Sequence, residues 1–143
     1  MFIFDTVFFV IMLLLSIKST ETTPQVVFDI EKNIFEISGS SRPENISAFY
    51  TPIINTIETH FQSILQKNLT EFPPQFTFNF RLYYFNSGTS HFIASLFQLL
   101  NSYTQYGIAS QIHWYYDDED MDMYEAGEEL SFLTTIPFHF IAE

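Results

Sequence analysis

Residues 85–92 read FNSGTSHF, with Ser87, Thr89 and Ser90 gathered around Gly88. Hydroxyls massed at one point could supply a nucleophile, a helix cap or an acceptor for a phosphoryl group. Gly88 and Ser90 match the first half of the G-x-S-x-G nucleophile elbow, but Phe92 stands where the second glycine belongs. The other two readings need only a strand that ends and a helix that begins here. Asn86 or Ser87 can cap such a helix through a side-chain oxygen. The free N–H groups of its first turn can also stabilise a phosphate, and phosphorylation would bring about two negative charges to whatever surface the helix presents.

Two other sets of residues could carry chemistry. Asp118, Asp120, Asp122 and Glu129 fall at the first, third, fifth and twelfth positions of an EF-hand-like loop, but Met123 occupies the position where the sharp turn needs glycine. The acidic run reads better as the start of a solvated helix, where the dipole favours negative charge, and next as a docking surface for a basic partner. His60, His91, His113 and His139 fall in different elements with no metal-ligand spacing, and there is no cysteine to add a thiolate. No metal site or cofactor is expected. Asn45 and Asn68 open N-x-S/T sequons that matter only in a secreted chain. No catalytic constellation is complete.

The elements around the hydroxyl cluster follow from periodicity. QVVFDIEKNIFEISG places Val26–Phe28 and Ile34–Ile37 on either side of a polar connection, a hairpin closed by Gly39. Ser41 and Glu44 have capping-box spacing, with Asn45 as a competing N-cap. Ile46, Phe49, Ile53, Ile57, Phe61 and Ile64 then form the apolar stripe of a helix, with a kink or restart expected near Pro52. FTFNFRLYYF alternates as a strand, with Phe76, Phe78, Phe80, Leu82 and Tyr84 on one face. Phe92, Leu96, Leu99, Leu100 and Tyr103 give a second helix ending near Gly107. SQIHWYY is a strand, the acidic stretch a short helix, and IPFHFIA a closing strand with Pro137 at its edge or entry. Strands alternating with helices predict one small α/β domain with a partly parallel sheet, an N-terminal hairpin and about three helices.

Composition narrows the function. The chain has 143 residues, 47% of them hydrophobic, with eighteen Phe and eight Tyr, which suits a single packed domain. A formal charge of −12 with five Lys and Arg leaves little to neutralise phosphates, so nucleic acid and anionic membrane surfaces are poor partners. The absence of cysteine suits a reducing cytoplasm. Val7–Ile17 has the length of a signal-peptide core, but Asp5 replaces the basic region and no small-x-small cleavage site follows. The competing reading starts the chain at Met12, with Leu13–Ile17 as a first strand and residues 1–11 as a misassigned extension.

FDIEKNIFEISGSSRPENISAFYTPI, YYFNSGTSHFIASLF and WYYDDEDMDMYEAGEELS…IPFHFI together resemble the SiaC family of bacterial regulatory phosphoproteins, over about residues 13–143 and in the same order. The most specific pieces are Pro43-Glu44-Asn45, Tyr84-Phe85-Asn86, and the WYY run followed by Glu125–Glu128. The resemblance implies a fold like the STAS anti-sigma-factor antagonists and a non-enzymatic switch protein. It also implies three protein partners: a histidine-kinase-like Ser/Thr kinase, a metal-dependent Ser/Thr phosphatase, and a downstream effector, in the family a diguanylate cyclase, hence c-di-GMP signalling.

The family's phosphoacceptor is the hydroxyl residue directly after the strand-ending Asn, in a pattern close to Asn-Thr-Ser-Ser, which is Ser87 on this chain. Gly88 replaces the following Ser, leaving Thr89 and Ser90 as fallback acceptors, and His91 stands where Lys is common. Asn86, Gly88 and His91 are the expected partner contacts beside the acceptor, with Asp117, Asp118, Glu119 and Asp120 selecting basic partners. Family chains also open with a short strand and a TP pair, which fits LLLSIKSTETTPQV. That favours a cytoplasmic protein whose regulatory domain spans residues 12–143. The rival is an exported or membrane-tethered acidic ligand-binding domain anchored by Val7–Ile17.

Overall fold

A computed structural model of the chain describes residues 13–67 and 74–143. The expectations for residues 1–11 and for the sequon at Asn68 lie outside them. The described elements are β1 (Leu13–Ile17), β2 (Gln25–Asp29), β3 (Ile34–Ser41), α1 (Ile46–Gln66), β4 (Gln75–Phe85), α2 (Ser87–Thr104), β5 (Ala109–Tyr116), α3 (Met121–Ser131) and β6 (Phe138–Ala142). The strands form one six-stranded sheet in sequence order. β1, β2 and β3 pair antiparallel, and β3 to β6 pair parallel, each parallel step being bridged by a helix. This is the mixed sheet with an N-terminal hairpin and three helices that the periodicity predicts.

Because successive crossovers all step the same way across the sheet, right-handed connections put their helices on one face. That face is a nearly unbroken aromatic and aliphatic layer. Phe28, Phe35, Ile37, Phe78, Phe80, Ile112 and Trp114 are fully or almost fully buried beneath Ile53, Ile57 and Phe61 of α1, Ile93, Leu96 and Phe97 of α2, and Met123 and Leu130 of α3. The alternate strand residues, among them Glu36, Thr77, Asn79, Arg81, His113 and Tyr115, are only half-buried on the opposite face. The strand period of two thus separates an apolar layer from a polar one.

Trp114 is the hub of the β5 region. Its ring stacks on Phe80 at 5.6 Å and on Phe138 at 6.2 Å, and meets Phe85 edge-on at 5.9 Å. Its indole N–H donates to the carbonyl of Met123 at 3.0 Å, tying β5 to α3. Gly127 lies against the same indole so closely that a Cβ there would overlap its ring atoms. The WYY and EAGE segments therefore meet in space, the glycine being the space the tryptophan requires.

Four local expectations are corrected. The second hairpin strand does not stop at Gly39 but runs on to Ser41; Gly39, at φ +110°, instead sits where the register against β4 shifts. That shift opposes Gly39 to Leu82 and Ser40 to Tyr84, leaving Tyr83 as the extra residue of a bulge. Alternation is reset there, so Tyr84 leaves the inner face and Phe85 takes that side. Ser41 forms no capping box; Asn45 caps α1, its Oδ1 accepting from the Ala48 N–H at 3.0 Å. α1 runs unbroken through Pro52, which is exposed together with Ala48, so the helix carbonyl that Pro52 cannot bond is open to water.

His60 on α1 sits edge-on to Phe28 at 5.6 Å and Phe76 at 6.0 Å. Burial among these rings, with a smaller contribution from Lys67, holds its pKa below the usual imidazole range. The unfolded chain therefore takes up a proton here before the folded one does. Stability from this residue is complete above about pH 6.5 and is lost as pH falls from there through the lowered folded value. Urea titrations across that window should show the midpoint falling with pH, and less steeply in a His60→Gln variant.

Candidate functional site

Parallel pairing brings the C-terminal ends of β3, β4, β5 and β6 to one edge of the sheet, where open α/β sheets present their binding residues. The Asn86 N–H donates to the Ser41 carbonyl at 3.1 Å, holding the end of β4 beside that of β3. The Glu143 N–H donates to the Tyr116 carbonyl at 2.9 Å, joining the ends of β6 and β5. The hydroxyl cluster and the acidic turn therefore share an edge.

The hydroxyls divide by environment. Asn86, not Ser87, is the N-cap of α2, its Oδ1 accepting from the Thr89 N–H at 2.9 Å. Ser87, the first helical residue, is exposed, as is His91, while Asn86, Gly88 and Ser90 are half-buried. Thr89 is fully buried. Its hydroxyl lies 2.9 Å from Asn86 Oδ1 and 2.7 Å from Ser41 Oγ. Ser41 is also fully buried and hydrogen-bonds the Tyr50 hydroxyl of α1. Burial pushes the Tyr50 pKa up, against the pull of its hydrogen bonds with Ser41 and Thr89, so the phenol stays protonated. Tyr50 in turn stacks on Phe92 of α2 with ring centres 3.9 Å apart.

A buried network of Ser41, Tyr50, Thr89 and Asn86 thus locks the start of α2 to β3 and α1, with Ser87 standing above it. Gly88 belongs to the same arrangement: a Cβ there would come within 2.7 and 2.8 Å of Ile46 Cγ1 and Cδ1. Ile46 fills the space that a side chain at position 88 would need. A Thr89→Val variant keeps the shape but removes one hydrogen bond from each of Ser41 Oγ and Asn86 Oδ1, which keep their bonds to Tyr50 and to the backbone N–H of residue 89. It should cost about 1–3 kcal/mol in a denaturant titration, with Thr89→Ser close to the parent.

At the end of β5, Asp117, Asp118 and Glu119 are exposed. Asp120 caps α3, its Oδ1 accepting from the Met123 N–H at 3.1 Å, and Asp117 Oδ1 accepts from the Glu119 N–H at 2.9 Å. Asp122 and Glu129 lie within α3, so the EF-hand positions do not form one loop. Asp117, Glu119 and Asp120 line a groove of about 630 Å³ with Tyr83, Tyr115 and Arg81, and no residue of α2 reaches it. Among the described residues that line the groove, the one cation is already engaged: Arg81 pairs with Glu36 and Glu143 and lies 3.6 Å over the Tyr115 ring. The edge is therefore strongly anionic.

Sequence reasoning missed two surface residues. The bulge turns Tyr83 and Tyr84 outward, leaving them 81% and 51% exposed within a few residues of Ser87. Exposed tyrosines supply large, rigid contact area, the kind that anchors interfaces. The alternation of aromatic residues conceals the bulge, and only the displaced pairing with Gly39 reveals it.

Comparison with known proteins places this architecture. The model of the SiaC family regulatory phosphoproteins matches residues 17–143. The chain belongs to the SiaC family. Among solved structures, apo-SiaC from Pseudomonas aeruginosa is similar at 23% identity with a TM-score of 0.78, covering 90% of this chain and 98% of that one. The structure of the diguanylate cyclase SiaD in complex with its activator SiaC, from the same organism, matches at 23% identity with a TM-score of 0.79, covering 90% and 99%. At that identity the likeness carries the fold, and the family assignment rests on the matching model. A comparison with curated proteins found no match. Among the described residues, no helix of this SiaC-family chain is long and apolar enough to cross a membrane.

Proposed function

We propose that this protein is a non-enzymatic, cytoplasmic partner-switching regulator whose phosphoacceptor is Ser87. The observation that carries the reading is the division within one turn of helix: Ser87 is exposed directly after the capping Asn86, while Thr89 is buried and fully hydrogen-bonded. A kinase can reach the first hydroxyl without disturbing the fold, and the second only by opening the network. Ser90 is half-buried and a turn further from the strand end.

The bare surface around Ser87 receives an effector, and SiaC's role as the activator of SiaD in the related complex supports a diguanylate cyclase in that place. Asn86, Gly88 and His91 flank the acceptor, Tyr83 and Tyr84 supply apolar contact, and Asp117, Asp118, Glu119 and Asp120 favour basic partners. A phosphoryl group on Ser87 lies at the N-terminus of α2, where unpaired N–H groups and the helix dipole stabilise it within the protein. The same charge resists burial against a partner. A histidine-kinase-like Ser/Thr kinase would add the group and a metal-dependent phosphatase would remove it.

The test is phosphate incorporation by the kinase of the same organism. The parent chain should accept one phosphate and Ser87→Ala none, with Thr89→Ser still labelled at Ser87. Labelling of Ser87→Ala at the parent's rate would move the acceptor elsewhere. Fractionation of the native cells should recover the protein with the ATP- and GTP-using partners.

A further inference from the structure

The face of the sheet that none of the described helices covers carries a polar row that owes nothing to the Ser87 surface. Strand register aligns Glu36 of β3 with Asn79 of β4, Asn79 with His113 of β5, and His113 with His139 of β6. We propose that His113 and His139, with Asn79 beside them, form a binding site for a borderline divalent cation such as Zn²⁺ or Ni²⁺.

Two observations support the site. The two imidazole rings have centres 5.4 Å apart and planes at 77°. Two imidazoles that share one tetrahedral ion at Zn–N distances of about 2.1 Å hold their centres about 5 Å apart, so the pair is already spaced for a common ion. Asn79 Oδ1 is buried with no hydrogen-bond partner among the described residues, an orphan acceptor next to His113 in the same row.

Ligand chemistry selects the ion. Imidazole nitrogens suit Zn, Ni and Cu, whereas Mg and Ca prefer oxygen cages. Among the described residues no three His, Cys, Asp or Glu side chains gather around one point, and Glu36 is held by Arg81. The proposed site would draw on two imidazole nitrogens and an amide oxygen and leave the remaining coordination positions to water. That makes it open and exchangeable, unlike a closed structural site. A bound ion would clip the edge strand β6 to β5, and the net charge of −12 would raise the local cation concentration.

The test uses the full chain after chelator treatment, titrated with ZnCl2 or NiCl2 against a chromophoric competitor, with thermal melts and imidazole ¹⁵N shifts recorded in parallel. The expected result is one ion per chain, a raised Tm, and shifts confined to His113 and His139. His113→Asn and His139→Asn should each weaken binding at least tenfold, His91→Asn should leave it unchanged, and MgCl2 should not compete. His139 is exposed and His113 half-buried on the polar face, so the variants should retain a melting temperature close to the parent's without metal. No saturable binding, retention of binding in either pair variant, or loss in His91→Asn would overturn the site.

Discussion

Ser87→Asp should lower the affinity for the proposed effector at least tenfold, and Ser87→Ala should leave it near that of the parent. The asymmetry follows from where Ser87 stands. Among the described residues the network of Ser41, Tyr50, Thr89 and Asn86 is closed without the Ser87 hydroxyl, so removing that oxygen disturbs neither Asn86 nor Thr89. A carboxylate at the same point must lose its water when a partner docks, on an edge that already carries Asp117, Asp118 and Glu119. Burying a charge without a partner of opposite sign costs on the order of 2 kcal/mol or more at an interface, which is well over tenfold in affinity. A phosphoryl group carries more charge than aspartate, so the phosphorylated chain should bind more weakly still. Isothermal titration of the effector with the three forms gives the comparison. Equal affinities for Ser87→Asp and the parent would show that charge at this position does not expel the partner.

Trp114→Ala is the largest single loss of stability expected. The indole is 1% exposed and is sandwiched between Phe80 and Phe138 with Phe85 at its edge. Truncation leaves a cavity between β4, β5 and β6 and removes the indole donor from the Met123 carbonyl. Buried Trp-to-Ala changes cost about 3–5 kcal/mol, a large part of the 5–15 kcal/mol that holds a typical domain folded. Gly127→Ala attacks the same contact from the other side by overpacking, at about 1–3 kcal/mol. The two effects should not add, because the cavity left by Trp114→Ala receives the added methyl group. Urea denaturation of the single and double variants measures this; strict additivity would mean that Gly127 and Trp114 do not share one space.

The elements legible in the sequence were those set by one period and one solvent boundary. β4 from Phe76 to Leu82 and α1 from Ile46 to Ile64 read directly, because burial alternates along them as their geometry requires. The failures lie where a backbone event resets the period or where a polar residue is buried. Nothing in RLYYFNSG marks the bulge at Tyr83; it is specified across the sheet, opposite Gly39. Ser41 looked like a helix cap because local spacing cannot show that a partner 48 residues later, Thr89, would take its hydroxyl. The pairing of His113 with His139 was equally hidden, since only the β5–β6 register brings them together. For the hydroxyl cluster, local chemistry left cap and phosphate site open together. The structure assigns the cap to Asn86 and leaves Ser87 exposed.

The central claim is that Ser87 is bare when the effector is bound and phosphorylated when it is not. The most direct measurement separates effector-bound from free protein in native cell extract and maps both pools by chymotryptic peptides. Trypsin is unsuitable because no Lys or Arg follows Arg81, whereas chymotrypsin can cut after Phe85 and Phe92 and isolate the cluster. The account predicts phosphate on Ser87 in the free pool and none in the bound pool. Equal occupancy in the two pools, or phosphate confined to another residue, would contradict it.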